Sequence, residues 1–506
     1  MTSRYRFALV AAVLIVSSLP AIASAGPKSC DTRTNNTVDK LLECVTVDGV
    51  RAHQAALQAT ADANGGIRAA GTSGYAASVH YVADTLEAAG YDVELNPFEF
   101  TFVFDAVLEQ LSPIAASYPT GAFTGSGSGE LSGNVIPVDL ALEPPRASTS
   151  GCEATDFDGL DFSGSNDVAL IQRGTCFFSE KAVNAQSAGA EAVVIFNQGN
   201  APNREGLIVA NAANLPDGSP SNLTIPVVGA SFANGEALAA EGSTAFILVE
   251  PNEIRTDYNI IAELPGRNDD NVVMAGAHLD SVRAGPGIQD NGSGSAALLE
   301  TAVQMAKVKP ANTVRFAWWG AEELGLVGST AYVNGLSQEE TDRIALYLNF
   351  DMIGSPNFVY FIYDGDDSDG VGAGPGPEGS AQIEEFFEGF YENRGLPYLG
   401  TDFSGRSDYG PFIAVGIPAG GLFTGAEVVK TEEQAAIWGG TAGDQFDPCY
   451  HLACDTFDNI SLEALATNAD AVAAAVLSFG MNTEVVNGVK GKGNFKVMNQ
   501  DFGPTS

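Results

Sequence analysis

Three apolar runs, each closed by a histidine or an acid, constrain what this chain can fold into more than any other feature. Asn271-Val272-Val273-Met274-Ala275-Gly276-Ala277 leads straight into His278-Leu279-Asp280. Val314-Arg315-Phe316-Ala317-Trp318-Trp319 runs into Gly320-Ala321-Glu322-Glu323, and Ala345-Leu346-Tyr347-Leu348-Asn349-Phe350 into Asp351. Such runs read as buried strands. The stretches between them have helical texture, so the expectation is an α/β fold with helices on both faces of a central sheet. In open sheets of this class, ligands bind outside the carboxyl ends of the strands. Two further residues join the set: Asp290 in the turn Gly287-Ile288-Gln289-Asp290-Asn291-Gly292, and His451 in Cys449-Tyr450-His451-Leu452-Ala453-Cys454.

Two histidines and several carboxylates gathered at strand ends can hold divalent metal. Any one of these acids alone reads more simply as a helix cap or a surface charge, and Glu322-Glu323 would suit a helix N-terminus. The histidines argue otherwise. The chain has four, and His53 and His80 fall on N-terminal helices as ordinary helix residues, which leaves His278 and His451 in the motif positions. A two-metal site needs a bridging carboxylate plus a histidine and a carboxylate for each ion. Asp290 would bridge, His278 and Asp351 would serve one ion, and Glu323 and His451 the other. Glu322, left over beside a ligand, would take a proton from metal-bound water as general base and pass it to a leaving amine. Asp280 lies two residues from His278, on the same side of a strand, where it would orient the imidazole. The set points to a metallohydrolase.

Residues 1–25 read as a secretory signal, with Arg4 and Arg6 before an apolar Phe7 to Val16 and a small-residue site at Ala23-Ser24-Ala25. The apolar run is too short to span a bilayer, for which about 20 residues are needed. No later stretch reads as long and apolar enough, so the expectation is a soluble exported protein with no membrane partner. Six cysteines form three local couples, Cys30 with Cys44, Cys152 with Cys176, and Cys449 with Cys454. Short separations favour disulfides within each couple, although six cysteines allow 15 connectivities. Thiolate zinc ligation is the alternative, and no CxxC pair supports it. With 63 acids against 24 bases the net charge is −39, which argues against nucleic acid and anionic lipid and reads as a solvated acidic surface.

Residues 26–48, around the Cys30–Cys44 loop, are either a short propeptide or an N-terminal cap. Helical spacing appears in Val50 to Ala63 and in Tyr75 to Ala89, stopping at Gly90. Tyr91 to Leu95 and Phe98 to Phe104 alternate like two strands. From about Ser112 to Glu250 the texture turns rich in Gly, Ser and Asn. Within it lie a strand from Val168, the turn Arg173-Gly174-Thr175-Cys176, a short helix from Lys181 to Ala190 and a strand from Ala192 to Asn197. This stretch resembles the protease-associated domain, a β-rich module inserted in secreted peptidases, and holds no cluster of acids, bases or metal ligands. The expected domains are therefore a catalytic domain in two parts, 49–110 and 253–482, an insertion at 111–252, and a flexible tail at 483–506.

The segments Ala275-Gly276-Ala277-His278-Leu279-Asp280-Ser281, Trp318-Trp319-Gly320-Ala321-Glu322-Glu323-Leu324-Gly325, Leu348-Asn349-Phe350-Asp351-Met352-Ile353-Gly354 and Cys449-Tyr450-His451 resemble those of secreted bacterial di-zinc aminopeptidases of the leucine-aminopeptidase type. The resemblance runs over residues 50–104 and about 255–480. It implies the zinc exopeptidase fold, two zinc ions per subunit on the five ligands above, and Glu322 as base. It also implies that Arg406, in Gly405-Arg406-Ser407-Asp408, and Tyr450 stabilise the tetrahedral intermediate. Met352, Phe423 and the glycines Gly405, Gly420 and Gly421 would line a pocket for a large hydrophobic N-terminal side chain such as Leu, Met or Phe. Glu322 and Asp351 would hold the free α-amine of the peptide substrate. Two departures stand out: Tyr409 occupies a place where relatives often have His, and Ala466 stands where a calcium-binding partner of Asp470 would be, which argues against that calcium site. The residues leave zinc, cobalt and manganese open, and a monomer is expected. Two rival functions remain, a related metallo-carboxypeptidase or N-acyl amino acid hydrolase, and a non-enzymatic binding protein. The first usually needs cations to receive a carboxylate, and the second predicts lost ligands.

Overall fold

In the computed structural model, which describes residues 29–30, 32–370, 372 and 374–491, the three apolar runs are neighbouring strands of one sheet. The expected signal peptide and the last residues of the tail lie outside the described residues. The chain divides into two compact units, one formed by residues up to Phe100 and from Thr256 onward, the other by Thr101–Arg255.

The strands of the first unit's sheet, in chain order, are β1 (Val93–Phe102), β2 (Glu253–Leu264), β3 (Asn268–His278), β4 (Asn312–Trp319), β5 (Ile344–Phe350), β6 (Phe361–Tyr363), β7 (Leu399–Thr401) and β8 (Ala419–Phe423). They lie in the order β1-β2-β4-β3-β5-β8-β6-β7. The centre is parallel: β3 pairs with β4 and β5, and β5 with β8. β2 joins β4 antiparallel, and β6 joins β8 antiparallel, so the sheet is mixed.

Why the central runs are apolar throughout follows from the strand period of two. Val273, Ala275 and Ala277, with Val314, Phe316, Trp318, Leu346, Leu348 and Phe350, enter a core filled by helices Val47–Ala63, Ser73–Ala89, Gly292–Met305, Ser380–Glu392 and Leu462–Met481. Val272, Met274, Ala317, Trp319 and Tyr347 point the other way, into a second core with Tyr332, Val333 and Phe412. Each such large apolar side chain contributes about 1.5–3 kcal/mol of transfer free energy, so both faces demand apolar residues. Gly276 is required between them: a Cβ there would stand 2.4 Å from the Tyr347 hydroxyl and 2.6 Å from Trp319 Nε1.

Local signals explain the helix ends. The Thr46 and Thr72 side chains accept from the amides of Gly49 and Tyr75, and Gly90 closes the second helix at φ 102°. Three expectations are corrected. Within 91–104 a single strand, β1 (Val93–Phe102), forms rather than two, because Pro97 sits on a strand at the sheet edge, where a missing N–H is tolerated. Within 26–48, residues Val38–Leu42 are helical, and Val38, Leu41 and Val45 are buried in the first core. Helix Leu462–Met481 is long and apolar enough to cross a bilayer, contrary to the sequence reading, but it is buried in the core. Residues 483–491, assigned to the tail, include a helical turn at Glu484–Asn487, and Thr483 accepts from Asn271 Nδ2 at 2.9 Å.

The second unit has a seven-stranded sheet. Strands Gly129–Val138, Val168–Gln172, Ala192–Phe196 and Val227–Ala230 run parallel in that order, and Thr244–Val249 joins the first of them antiparallel. Helix Phe178–Ala188 follows the turn at Cys176. All three cysteine couples are bonded: Cys30–Cys44, Cys152–Cys176 and Cys449–Cys454.

Candidate active site

Parallel strands that begin together also end together, and here their ends carry the polar residues. His278 closes β3 in register with Trp319, the last residue of β4. Three and four residues beyond Trp319 the chain reaches Glu322 and Glu323, and one residue beyond β5 it reaches Asp351. Asp290 sits in the turn before helix Gly292–Met305, and His451 in the loop closed by the Cys449–Cys454 disulfide. Backbone conformation marks the same places. Ala321, Met352 and His451 all have positive φ, at 53°, 52° and 57°, a conformation that is costly for residues with a Cβ and tends to be kept where function requires it.

These residues meet. His278 Nε2 lies 3.2 Å from Asp290 Oδ1, 3.2 Å from Asp351 Oδ1 and 3.9 Å from Glu322 Oε2. His451 Nε2 lies 3.2 Å from Asp290 Oδ2 and 3.0 Å from Glu323 Oε2. One oxygen of Asp290 thus faces each histidine. Burial opposes ionisation of Asp290, but its bonds to both imidazoles hold it well below the usual carboxylate range. Burial pushes Glu322 well above that range, reinforced by Asp351 and Asp408 against the pull of His278. Burial and Asp290 push Glu323 up to about 7. Burial likewise works against a charged His278, yet Asp351 and Glu322 raise its pKa well above the ordinary value.

The donor set suits divalent cations. Two groups of three, His278–Asp290–Glu323 and His278–Glu322–Asp351, each place their ligand atoms within 4.8 Å of one another. Tetrahedral N and O ligands about 2.0–2.2 Å from an ion stand roughly 3.4 Å apart, close to the histidine–carboxylate separations seen. Glu323 Oε1 is buried with no hydrogen-bond partner among the described residues, as befits an atom shaped for a cation rather than a protein donor.

Asp280 stands beside the His278 imidazole, as its expected orienting role requires, and has a second set of partners. His278 Nδ1 is 3.2 Å from the Asp280 backbone oxygen and 3.7 Å from its carboxylate. The carboxylate also accepts from the amides of Glu322 and Glu323, at 3.1 and 3.4 Å. One residue therefore fixes both the imidazole and the glutamate pair.

A cleft of about 400 Å³ opens over the cluster, lined by Met352, Gly405, Arg406, Phe423 and Tyr450 together with the acids. Gly420 and Gly421, expected in the pocket, are buried inside β8 and do not line it. Tyr409 lines it, and its hydroxyl accepts from the Gly405 amide at 2.9 Å. Arg406 donates from Nη1 to Glu427 Oε1 at 2.8 Å and from Nη2 to the Tyr450 hydroxyl at 3.1 Å. Burial and Asp290 raise the Tyr450 pKa above its usual value, so the phenol keeps its proton. Asp470 has Arg394 Nη2 3.9 Å away.

Sequence reasoning missed the residues that hold this constellation. Arg68, fully buried, donates to the carbonyls of Leu279, Pro286 (2.8 Å) and Gly287 (2.5 Å). Asp455 accepts from the amides of Gln289 and Asp290 at 2.8 and 3.0 Å. Asn291 caps its helix, donates to Phe350 O and accepts from Met352 N, bracketing Asp351. Ser407 donates to Asp351 Oδ2 at 2.6 Å and accepts from Asn349 at 2.8 Å. No spacing rule links these pairs; their sequence neighbours to the ligands were the one available signal.

Residues 259–476 match peptidase family M28, and residues 132–238 match the PA domain. An aminopeptidase of Pseudomonas aeruginosa is 48% identical over 457 residues, covering 88% of this chain and 83% of that one. Leucine aminopeptidase 2 of Arthroderma otae is 41% identical over 424 residues, covering 81% and 79%. Among solved structures, BSAP, a zinc aminopeptidase from Bacillus subtilis, is 28% identical with a TM-score of 0.60, covering 85% of this chain and 94% of that one. The chain therefore belongs to peptidase family M28 and is a metallo-aminopeptidase carrying an inserted PA domain.

Proposed function

We propose that this chain is a secreted aminopeptidase that holds two zinc ions and hydrolyses the first peptide bond of peptides with a free N-terminus, favouring Leu, Met or Phe there. The observation that carries the reading is Asp290, which turns one oxygen towards His278 and the other towards His451. His278 and Asp351 would hold one ion, Glu323 and His451 the other, with Asp290 between. Zinc bound there would polarise the scissile carbonyl and lower the pKa of water towards about 7. The chain's own groups do the rest. Glu322, as the carboxylate, receives the proton of the attacking water and delivers it to the departing amine. Tyr450 donates its hydroxyl proton to the carbonyl oxygen as negative charge develops there, supported by Arg406. Met352, Phe423 and Gly405 receive the N-terminal side chain, while Glu322 and Asp351 accept the α-ammonium.

The three disulfides and the signal-like residues 1–25 support export, and the burial of helix Leu462–Met481 in the core supports its reading as a core helix and not a membrane span; a monomer is proposed. The carboxypeptidase alternative needs a cation free to take a carboxylate, and Arg406 is committed to Glu427. Leucine p-nitroanilide and its N-acetyl analogue, each assayed with mature protein before and after chelation and zinc return, test the reading. Cleavage of the free-amine substrate alone, lost on chelation and restored by zinc, is expected. Preference for the acetylated substrate would move the assignment to an acyl hydrolase.

A further inference from the structure

Arg406 and Tyr450 reach into the cleft, yet more than half of the Arg406 side chain is exposed (58%). An exposed arginine with nothing to hold it samples many rotamers and stabilises no defined point in space. Here it has an anchor that none of the motifs contains. Glu427, on the turn after β8, accepts from Arg406 Nη1 at 2.8 Å through Oε1, and the second guanidinium nitrogen donates to the Tyr450 hydroxyl at 3.1 Å. The guanidinium is planar, so fixing one nitrogen fixes the direction of the other.

The consequence falls on a proton. A phenol has one hydrogen to donate and accepts through its lone pairs. With Arg406 donating to the Tyr450 oxygen, the hydroxyl hydrogen has to point elsewhere. The Tyr450 ring is held as well, stacked on His451 with centroids 3.8 Å apart and planes 25° from parallel. Tyr450 lines the cleft together with Asp290, Glu323 and Asp351, so a hydroxyl hydrogen turned away from Arg406 has that cleft to point into. Glu427 spends its accepting oxygen on Arg406 alone, and its Oε2 is buried without a hydrogen-bond partner among the described residues. Burial opposes its charge, but the bond from Arg406 keeps Glu427 below the usual glutamate range.

We propose that Glu427 is a positioning residue: it holds Arg406 so that the Tyr450 hydroxyl proton is aimed at the substrate carbonyl, and it occupies the guanidinium so that a substrate carboxylate cannot. The second half follows from the fit of a guanidinium fork to any carboxylate. A bare Arg406 would draw the carboxylate of a dipeptide into the cleft, and Glu427 supplies that partner internally. The inference rests on the aminopeptidase reading and on the roles given to Arg406 and Tyr450.

The test compares zinc-loaded wild type, E427A, E427Q, R406M and E427A/R406M. Leucine p-nitroanilide gives kcat and KM, and Leu-Gly against leucyl-glycinamide gives the response to a carboxylate. Glu427 is partly exposed and stands outside the core, and thermal unfolding checks that each variant is folded. For E427A, kcat should fall about tenfold with KM within about twofold, since an oxyanion donor is misdirected rather than removed. E427Q, which keeps an acceptor oxygen for Arg406, should recover part of the loss. The double variant should be no slower than R406M, the non-additivity expected of residues acting through one another. The kcat/KM ratio of Leu-Gly to its amide should rise about fivefold in E427A, the scale of one charge-assisted contact. Wild-type kcat in E427A, or losses that multiply in the double variant, would overturn the proposal, because exposed ion pairs often do nothing measurable. Wild-type protein that leaves leucine p-nitroanilide intact would overturn the aminopeptidase reading, and this inference with it.

Discussion

The chemistry of this site depends on single residues held by others. E322Q removes the proposed proton carrier while leaving the five proposed ligands in place. Its kcat on leucine p-nitroanilide should drop about 10²–10⁴-fold, with zinc content by atomic absorption unchanged; a variant that loses its zinc instead would make Glu322 a ligand. Arg68 makes a complementary case. It ties the carbonyls of Leu279, Pro286 and Gly287, the ends of the segment between His278 and Asp290. R68M leaves three buried carbonyls without their donor, each worth roughly 1–3 kcal/mol, so a clear loss of thermal stability is expected, together with weaker zinc binding by competition with a chelator. Neither Arg68 nor Asp455 could be read from the chain. Arg68 lies more than 200 residues from the carbonyls it holds, and a buried arginine has the same letter as an exposed one. His278, Glu322, Glu323 and Asp351 were legible because each follows an apolar run directly.

Elements show where local signals suffice and where neighbours override them. Thr46, Thr72 and Gly90 fix helix ends by short-range bonds, and of these Gly90 was read while the starts at Val47 and Ser73 were placed two or three residues late. β1 was read as two strands because Pro97 interrupts it; only its place at the sheet edge lets it continue. The four-residue loop between Cys449 and Cys454, closed by their disulfide, carries both Tyr450 and His451. The paired C449S/C454S substitution should therefore reduce kcat/KM at least tenfold, judged from the loss expected when a reacting group is misplaced, while far-UV circular dichroism is unchanged. Helix Ser380–Glu392 offers a prediction in pH. Burial, beside Asp364 and Asp366, pushes Glu384 up to about 7. The folded protein therefore holds this proton more tightly than the unfolded chain, and stability falls as pH rises from about 4.5, the unfolded value, to about 7. Urea midpoints across that range should decline less steeply in E384Q than in wild type; parallel curves would exclude Glu384 as a source.

At the scale of the molecule, charge is the property that composition settles. A net charge of −39 sets the chain repelling itself, and salt shortens that repulsion to within about 10 Å at 0.1 M. The melting temperature should rise by several degrees between about 10 mM and 1 M sodium chloride, and a fall would show that paired charges such as Arg315–Glu263 matter more than the excess. The two units each carry their own sheet and cores, in keeping with a module inserted between β1 and β2, which are neighbours in the first sheet.

The apolar runs alone determined that the chain has a buried central sheet, because burial on both faces leaves no polar alternation to read otherwise. They also determined which acids and histidines stand at the strand ends. The tertiary structure decided the rest. It turned the oxygens of Asp290 towards two histidines that are 173 residues apart, spent the Asp280 carboxylate on the Glu322 and Glu323 amides, and placed Glu427 against Arg406. The division has a physical origin. Hydrophobic burial is non-directional and leaves its pattern in every residue of a strand, whereas a hydrogen bond is a relation between two groups at about 3 Å, and the chain between them carries no record of it.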